Sequence, residues 1–131
     1  SFMIHLKKDL KILLVEDNPL NQKLMMFNLS KMGFNVTIIE NGKKAVEIYS
    51  STFFDIILMD VMMPIMDGYE ATKLIRQYEA TTGNHSYIIG LTSNVYDYDR
   101  EKCIETGKDN YIPKPFNIDF FCDILHEQHF L

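Results

Sequence analysis

Three apolar runs in this chain each end in a group that could do chemistry. Lys11-Ile12-Leu13-Leu14-Val15 runs into Glu16-Asp17, Ile56-Ile57-Leu58-Met59 into Asp60, and Asn110-Tyr111-Ile112-Pro113 into Lys114. If those runs are neighbouring buried parallel strands, their carboxyl ends meet at one edge of a sheet, where α/β proteins place ligands. Three carboxylates and an ammonium then share one pocket. Crowded acids repel unless a hard divalent cation sits among them, and an oxygen-only site with few protein ligands suits Mg²⁺. The pattern points to Mg²⁺-assisted phosphoryl chemistry centred on Asp60.

Each of these groups also has a plainer use. Glu16-Asp17 serves equally well to form a turn and cap a helix before Asn18-Pro19, although a cap needs only one acid. Asp60 alone is an ordinary strand-end turn residue; its expected place opposite Glu16-Asp17 is what favours chemistry. Lys114 alone reads as a solvated loop lysine, but Pro113 and Pro115 stiffen the backbone on both sides of it. Beside carboxylates, such a lysine neutralises the pocket and holds a phosphoryl oxygen as a point charge. Thr92 ends Tyr87-Ile88-Ile89-Gly90-Leu91 as the other groups end their runs, or it caps a helix together with Ser93 and Asn94. Tyr111 reads as a core aromatic. Met59, Met62, Met63 and Met66 read as packing and loop fill, since thioethers do not suit Mg²⁺. His126 and His129 lie at helical spacing with no acid or Cys partner and take no catalytic role.

The elements that must position these groups follow from periodicity. Strand-length apolar runs are expected at residues 11–15, 35–39, 55–59, 87–91 and 110–112, alternating with amphipathic stretches of helical length, which is the pattern of βαβ units and a parallel sheet. The first helix opens at Asn18-Pro19, shows Leu20, Leu24 and Phe27 beside Met25, Leu29 and Met32, and stops at Gly33. A second follows Asn41-Gly42 with Ala45, Val46 and Tyr49 on one face. A third starts near Asp67-Gly68, carries Ala71, Leu74, Ile75 and Tyr78, and ends in the loop Thr82-Gly83-Asn84-His85. The fourth, about residues 95–106, is the most polar, and polar helices of this kind are marginal. The fifth runs from Asn117 with Phe120, Phe121, Ile124 and Leu125 available to the core. Right-handed crossovers place helices on both faces of the sheet.

At 131 residues, with 47% hydrophobic residues, the chain is expected to be one domain with a sufficient core. A net charge of −5 gives no electrostatic support for binding nucleic acid or anionic membranes. Cys103 and Cys122 lack the spacing of a zinc site and read as reduced thiols of a cytoplasmic protein. No apolar run is long enough to span a bilayer, and the first eight residues lack the layout of a signal peptide. Ser1-Phe2 reads as a tag remnant, with residues 1–8 a flexible N-terminus and 9–131 the domain.

The pieces Ile12-Leu13-Leu14-Val15-Glu16-Asp17-Asn18, Asp60-Val61-Met62-Met63-Pro64-Ile65-Met66-Asp67-Gly68, Leu91-Thr92 and Lys114-Pro115-Phe116 together resemble the receiver domain of two-component response regulators. They occur in that family's order and cover residues 11–126. The resemblance implies a flavodoxin-like (βα)5 fold with strand order 2-1-3-4-5. It implies that Asp60 is the phosphoacceptor, taking a phosphoryl group from a histidine kinase or histidine phosphotransfer protein. Glu16 and Asp17 match the acidic pair that holds Mg²⁺ (Mn²⁺ as substitute) with Asp60 and the backbone carbonyl of Met62. Lys114 and Thr92 match the phosphoryl contacts, Tyr111 the aromatic switch, and Lys114-Pro115 a cis peptide. Ser93 departs from the small residue, often Ala, that usually follows the Thr, which bears on switching rather than on phosphorylation.

By this resemblance the output surface is that of the fourth helix, fifth strand and fifth helix, which also offers a route to a homodimer. Val-Glu-Asp-Asn-Pro-Leu-Asn-Gln, residues 15–22, looks most like receivers of hybrid sensor histidine kinases; the alternative is a stand-alone response regulator. Either way the domain modifies itself and is not a turnover enzyme. Two other readings fit less well. An interaction module that takes no phosphate would not need Glu16, Asp17, Asp60, Thr92 and Lys114 all intact. A small Mg²⁺-dependent phosphatase would want a second acid two residues after Asp60, where Met62 stands.

Overall fold

The structure, a computed structural model, describes residues 9–93 and 97–131. The expectations for residues 1–8, and for Asn94 and the start of the fourth helix at residues 95 and 96, fall outside those described. Five strands alternate with five helices: β1 (Lys11–Val15), α1 (Pro19–Lys31), β2 (Asn35–Ile39), α2 (Gly42–Tyr49), β3 (Ile56–Asp60), α3 (Gly68–Thr82), β4 (Tyr87–Thr92), α4 (Asp97–Glu105), β5 (Asn110–Pro113) and α5 (Ile118–Glu127). The strands form one parallel sheet in the order β2-β1-β3-β4-β5, as expected from the sequence.

Local chemistry starts and stops the helices. Asn18, Asn41, Asp67 and Asn117 each hold an extended backbone and accept the N–H of the third residue onward, at 2.9–3.0 Å. Each satisfies a donor that the first helical turn cannot. Pro19 needs no such partner at the first position of α1. Gly83, at φ 78°, takes the left-handed conformation that ends α3.

Alternation along the buried strands divides the core in two. Ile12, Leu14, Ile56, Leu58, Ile89 and Leu91 face one side, where they meet Met25 and Leu29 of α1 and Phe121, Ile124 and Leu125 of α5. Leu13, Val15, Ile57, Met59 and Ile88 face the other, against Ala45 and Tyr49 of α2 and Ala71 and Ile75 of α3. A two-residue repeat with both faces covered is what a central parallel strand requires. At the end of the sheet away from the strands' carboxyl termini, Arg76 joins α3 to the β4 and β5 entries. It donates to Gly107 O at 2.8 Å, Ser86 O at 2.9 Å and Asp109 Oδ2 at 2.7 Å.

Two groups of apolar residues are not in the core. Leu20, Leu24 and Phe27 of α1 are 65%, 56% and 67% exposed, and Phe120 of α5 is 46% exposed. A helix on a sheet buries only one stripe, and Met25, Leu29 and the half-buried Met32 occupy that of α1. Leu20, Leu24 and Phe27 form a second stripe, turned to solvent. The strand ends also differ by one residue: Asp60, Thr92 and Pro113 are the last residues of β3, β4 and β5 rather than the first beyond them.

Phe121 is fully buried, edge-on to Phe34 at 5.6 Å and tilted against Phe116 at 5.7 Å. Phe121→Ala should therefore cost about 4 kcal/mol in urea unfolding, whereas Phe120→Ala should cost less than about 1 kcal/mol. Equal losses at the two positions would contradict this burial pattern.

Candidate functional site

The strand order reverses between β1 and β3, and ligands of open α/β sheets bind where such a reversal opens a crevice. Val15 is in register with Met59, so Glu16 and Asp60 come to the sheet edge side by side. On the other flank Asp60 pairs with Leu91, and Thr92 with Pro113, which carries the chain into Lys114. Lys114 N–H donates to Thr92 O at 2.7 Å, and the Lys114-Pro115 peptide is cis, as the resemblance implied.

These placements converge the side chains. Lys114 Nζ lies 2.9 Å from Asp60 Oδ2 and 3.9 Å from Glu16 Oε1. Carboxylate oxygens of Glu16, Asp17 and Asp60 lie within 4.8 Å of one another. Glu16 and Asp60 are 1% and 2% exposed, while Asp17 is the more accessible of the three. The backbone secures the two buried acids: Asn18 N–H donates to Glu16 Oε2 at 3.1 Å and Met62 N–H to Asp60 Oδ1 at 3.1 Å. Thr92 is buried at the same edge and Tyr111 is half-buried on β5, packed against Val61, Tyr69 and Cys103. Met62, whose N–H makes that contact to Asp60, is itself 71% exposed.

The loop after Asp60 is tight. Met66 N–H donates to Pro64 O at 2.8 Å across Ile65, whose φ of 71° is unusual for a β-branched residue and costs of order 1–3 kcal/mol. Gly68 closes the loop by donating to Val61 O at 3.1 Å, and any Cβ at Gly68 would stand 2.2 Å from Asp60 O. Only glycine can back the Asp60 peptide this closely.

Among the described residues, Glu16 Oε1 is the buried side-chain oxygen without a hydrogen-bond partner. Burial pushes the Glu16 carboxyl up to about 7; the Asn18 N–H opposes this, the Asp60 charge adds to it, and Lys114 opposes it. An orphaned buried oxygen within reach of two further carboxylates, all hard oxygen donors, fits a divalent cation of the Mg²⁺ type. The sequence did not single out Gln22, whose side chain donates to Glu16 O at 2.6 Å, nor the solvent-facing stripe of α1 beside the pocket. Gln22 lies six residues beyond Glu16, a spacing with no local meaning, and nothing local marked the second.

The fold and the site together define a doubly wound parallel α/β domain with an acidic pocket at the reversal point of its sheet. The chain belongs to the response regulator receiver domain family, whose profile matches residues 12–126. It is 42% identical over 123 residues to hybrid signal transduction histidine kinase I of Dictyostelium discoideum, covering 90% of this chain but 7% of that protein. The receiver domain of sensor histidine kinase PA1611 from Pseudomonas aeruginosa, solved with a magnesium ion coordinated in its active site cleft, is 40% identical, with a TM-score of 0.81 over 92% of this chain and 97% of that one. The receiver domain of the response regulator Ssk1 from Saccharomyces cerevisiae, crystallised with the histidine phosphotransfer protein Ypd1, superposes with a TM-score of 0.86 at 28% identity, covering 94% of this chain and 92% of that one. The chain is thus a receiver domain of two-component or phosphorelay systems, similar to those of hybrid histidine kinases. No helix among the described residues is long and apolar enough to cross a membrane.

Glu16 makes metal-free stability depend on pH. Its folded-state value lies above the ordinary 4.5, so the folded protein holds this proton more tightly than the unfolded chain does. The stability it contributes is full below about 4.5 and lost as pH rises through about 7. Without metal, wild type should therefore lose thermal stability relative to Glu16→Gln between pH 5 and about 8. Parallel melting-temperature profiles for the two proteins would refute this origin.

Proposed function

We propose that Asp60 accepts a phosphoryl group from a phosphohistidine donor, and that this switches the surface formed by α4, β5 and α5. The observation that carries the reading is the Lys114 ammonium 2.9 Å from a buried Asp60 carboxylate, with Glu16 and Asp17 completing a three-acid cluster. Glu16, Asp17, Asp60 and the backbone carbonyl of Met62 would hold Mg²⁺, and Mn²⁺ by the same chemistry. When bound, the cation offsets the negative charge of the acids and of the transferring oxygens.

The chain's own residues do the rest. An Asp60 oxygen attacks phosphorus in line, the P–N bond breaks with its electron pair going to the donor's imidazole nitrogen, and, the other ring nitrogen of the donor being protonated, neutral imidazole leaves as an acyl phosphate forms. The Met62 N–H holds Asp60 Oδ1 and the Lys114 ammonium holds Oδ2, which together fix the orientation of the carboxylate. Lys114 then meets a phosphoryl oxygen, the Thr92 hydroxyl takes another, and Tyr111 follows inward. This biases a two-state equilibrium at the α4–β5–α5 face, where a partner or a second copy reads it.

The donor is a histidine kinase or a histidine phosphotransfer protein. The α1 stripe of Leu20, Leu24 and Phe27 supports a protein donor, because it lies beside a groove of about 420 Å³ that Glu16, Leu24 and Lys114 help to line. We place the chain as the cytoplasmic receiver, residues 9–131, of a hybrid sensor histidine kinase, with the stand-alone regulator as the second reading. The 42% identity to such a kinase favours the first.

Incubation with Mg²⁺ and acetyl phosphate should add one phosphoryl group by mass, and Asp60→Asn should add none. A fully labelled Asp60→Asn protein would remove Asp60 from the role, and multiple turnover on phosphate esters would favour a phosphatase instead. Leu24→Ala with Phe27→Ala should slow transfer from a phosphohistidine protein by about tenfold and leave labelling by acetyl phosphate unchanged. A matched slowing with both donors would argue against α1 as the docking face.

A further inference from the structure

One buried cation plays no part in the chemistry above. Lys108, in the connection between α4 and β5, is 4% exposed, yet it forms no ion pair among the described residues. Its ammonium donates to the Gly68 carbonyl at 2.8 Å and stands 4.7 Å from the centre of the Tyr69 ring. Lys102 of α4 approaches the same ring at 4.4 Å. Room for the lysine stem comes from β4: a Cβ at Gly90 would stand 2.8 Å from Lys108 Cδ and 3.1 Å from Cys103 Sγ.

Such an arrangement is a poor way to gain stability. A lysine buried without a counter-ion forfeits hydration that one hydrogen bond and one ring face do not restore. The Gly68 carbonyl does not need it either, since the Thr72 hydroxyl already donates to that oxygen at 2.7 Å. What Lys108 does touch is informative. Gly68 packs against the Asp60 peptide and donates to Val61 O, so it closes the loop that carries both Asp60 and the Met62 carbonyl. Val61, Tyr69 and Cys103 form a small cluster of their own, and Tyr111 packs against it. Lys108 therefore reaches from the switch side of the fold to the back of the phosphoacceptor loop.

We propose that Lys108 is a positioning residue for the phosphoacceptor site. By pinning the Gly68 carbonyl and the Tyr69 ring, its ammonium ties the Asp60–Gly68 loop to the α4–β5 connection, and so sets the Met62 carbonyl and the switch surface together. This deepens the function proposed above and takes Asp60 as the phosphoacceptor.

The charge on Lys108 lies within experimental reach. Burial pushes its ammonium down from 10.5 to about 8; Cys103 on α4 and Asp67 at the start of α3 resist, while Arg76 on α3 and Lys102 on α4 push the same way. With the folded value depressed, the buried cation costs stability at neutral pH, a cost relieved as pH rises from about 8 to 10.5. Lys108→Met, of similar length and no charge, should fold with an equal or higher melting temperature at pH 7.

The test is NMR of the whole domain from pH 6.5 to 9.5, with and without Mg²⁺. In wild type the Gly68 carbonyl and the Val61 and Met62 amides should share an inflection near pH 8. Lys108→Met should lack it and bind Mg²⁺ roughly tenfold more weakly, the low end for a group that supports a ligand from behind. Flat wild-type shifts, or a Lys108→Met protein with the same inflection and the same Mg²⁺ affinity, overturn the proposal. Should the variant fail to fold, the inflection near pH 8 is read instead in Glu16→Gln, which removes the carboxyl that titrates at about 7 beside the same loop. Absence of Mg²⁺ binding in wild type would strike the metal site instead, and the metal-free inflection still reports on Lys108.

Discussion

Two acids buried beside each other, Glu16 and Asp60, answered by one ammonium on Lys114, are the constraint on which the rest of this structure turns. Like charges in so dry a place are tolerated only if opposite charge is brought to them at fixed distance. The sheet supplies that distance. Register puts Glu16 beside Asp60 across β1 and β3, and the Thr92–Lys114 backbone bond sets where the lysine that follows β5 begins. A slip of one residue in either pairing would turn the acids to the wrong face and the core residues with them. The hydrophobic pattern of the strands and the chemistry of the pocket therefore enforce the same register.

The two ends of the sheet carry different loads. At the carboxyl end there is tension: Ile65 with positive φ, a Glu16 oxygen without a donor, a glycine pressed against the Asp60 peptide. At the opposite end the polar groups are answered. Arg76 spends its donors on Glu79, Asp109 and the carbonyls of Ser86 and Gly107, and the buried Glu79 also receives the Tyr49 hydroxyl and the Ser86 N–H. Satisfied polar networks stiffen a fold, and unsatisfied ones mark where a ligand is due. The contrast puts a satisfied polar network at one edge and an unpaired buried oxygen at the other.

Lys108 bridges these two regimes. It lies beneath the site loop and beside the half-buried Tyr111 cluster, in a pocket that exists because residue 90 is a glycine. A cation there links the acidic pocket to α4, the most polar helix, without occupying the pocket itself. Under the switch proposed above, a contact between the site loop and the α4–β5–α5 face is where a shift between two arrangements would pass.

How far the sequence could be read depended on the range of the interactions involved. Strands, helix caps and the acidic pocket rest on short patterns: alternation along Ile12 to Val15, an Asn or Asp three residues ahead of a free N–H, a polar group closing each apolar run. Helical periodicity in α1 was legible too, but it showed two apolar stripes and could not say which one meets the sheet. The order of the elements, the parallel sheet and the residues that gather at its edge are written in the chain, because they follow from contacts between near neighbours and from a motif in register. That Leu20, Leu24 and Phe27 face solvent, that Arg76 closes the far end and that Lys108 lies buried under Gly68 emerges from three-dimensional packing alone. Those outcomes depend on which surfaces meet across 30 to 40 residues of intervening chain, as between Gly68 and Lys108, separated by 40 positions, and Arg76 and Gly107, separated by 31. Burial, not residue type, sets what a charged side chain does at such a place.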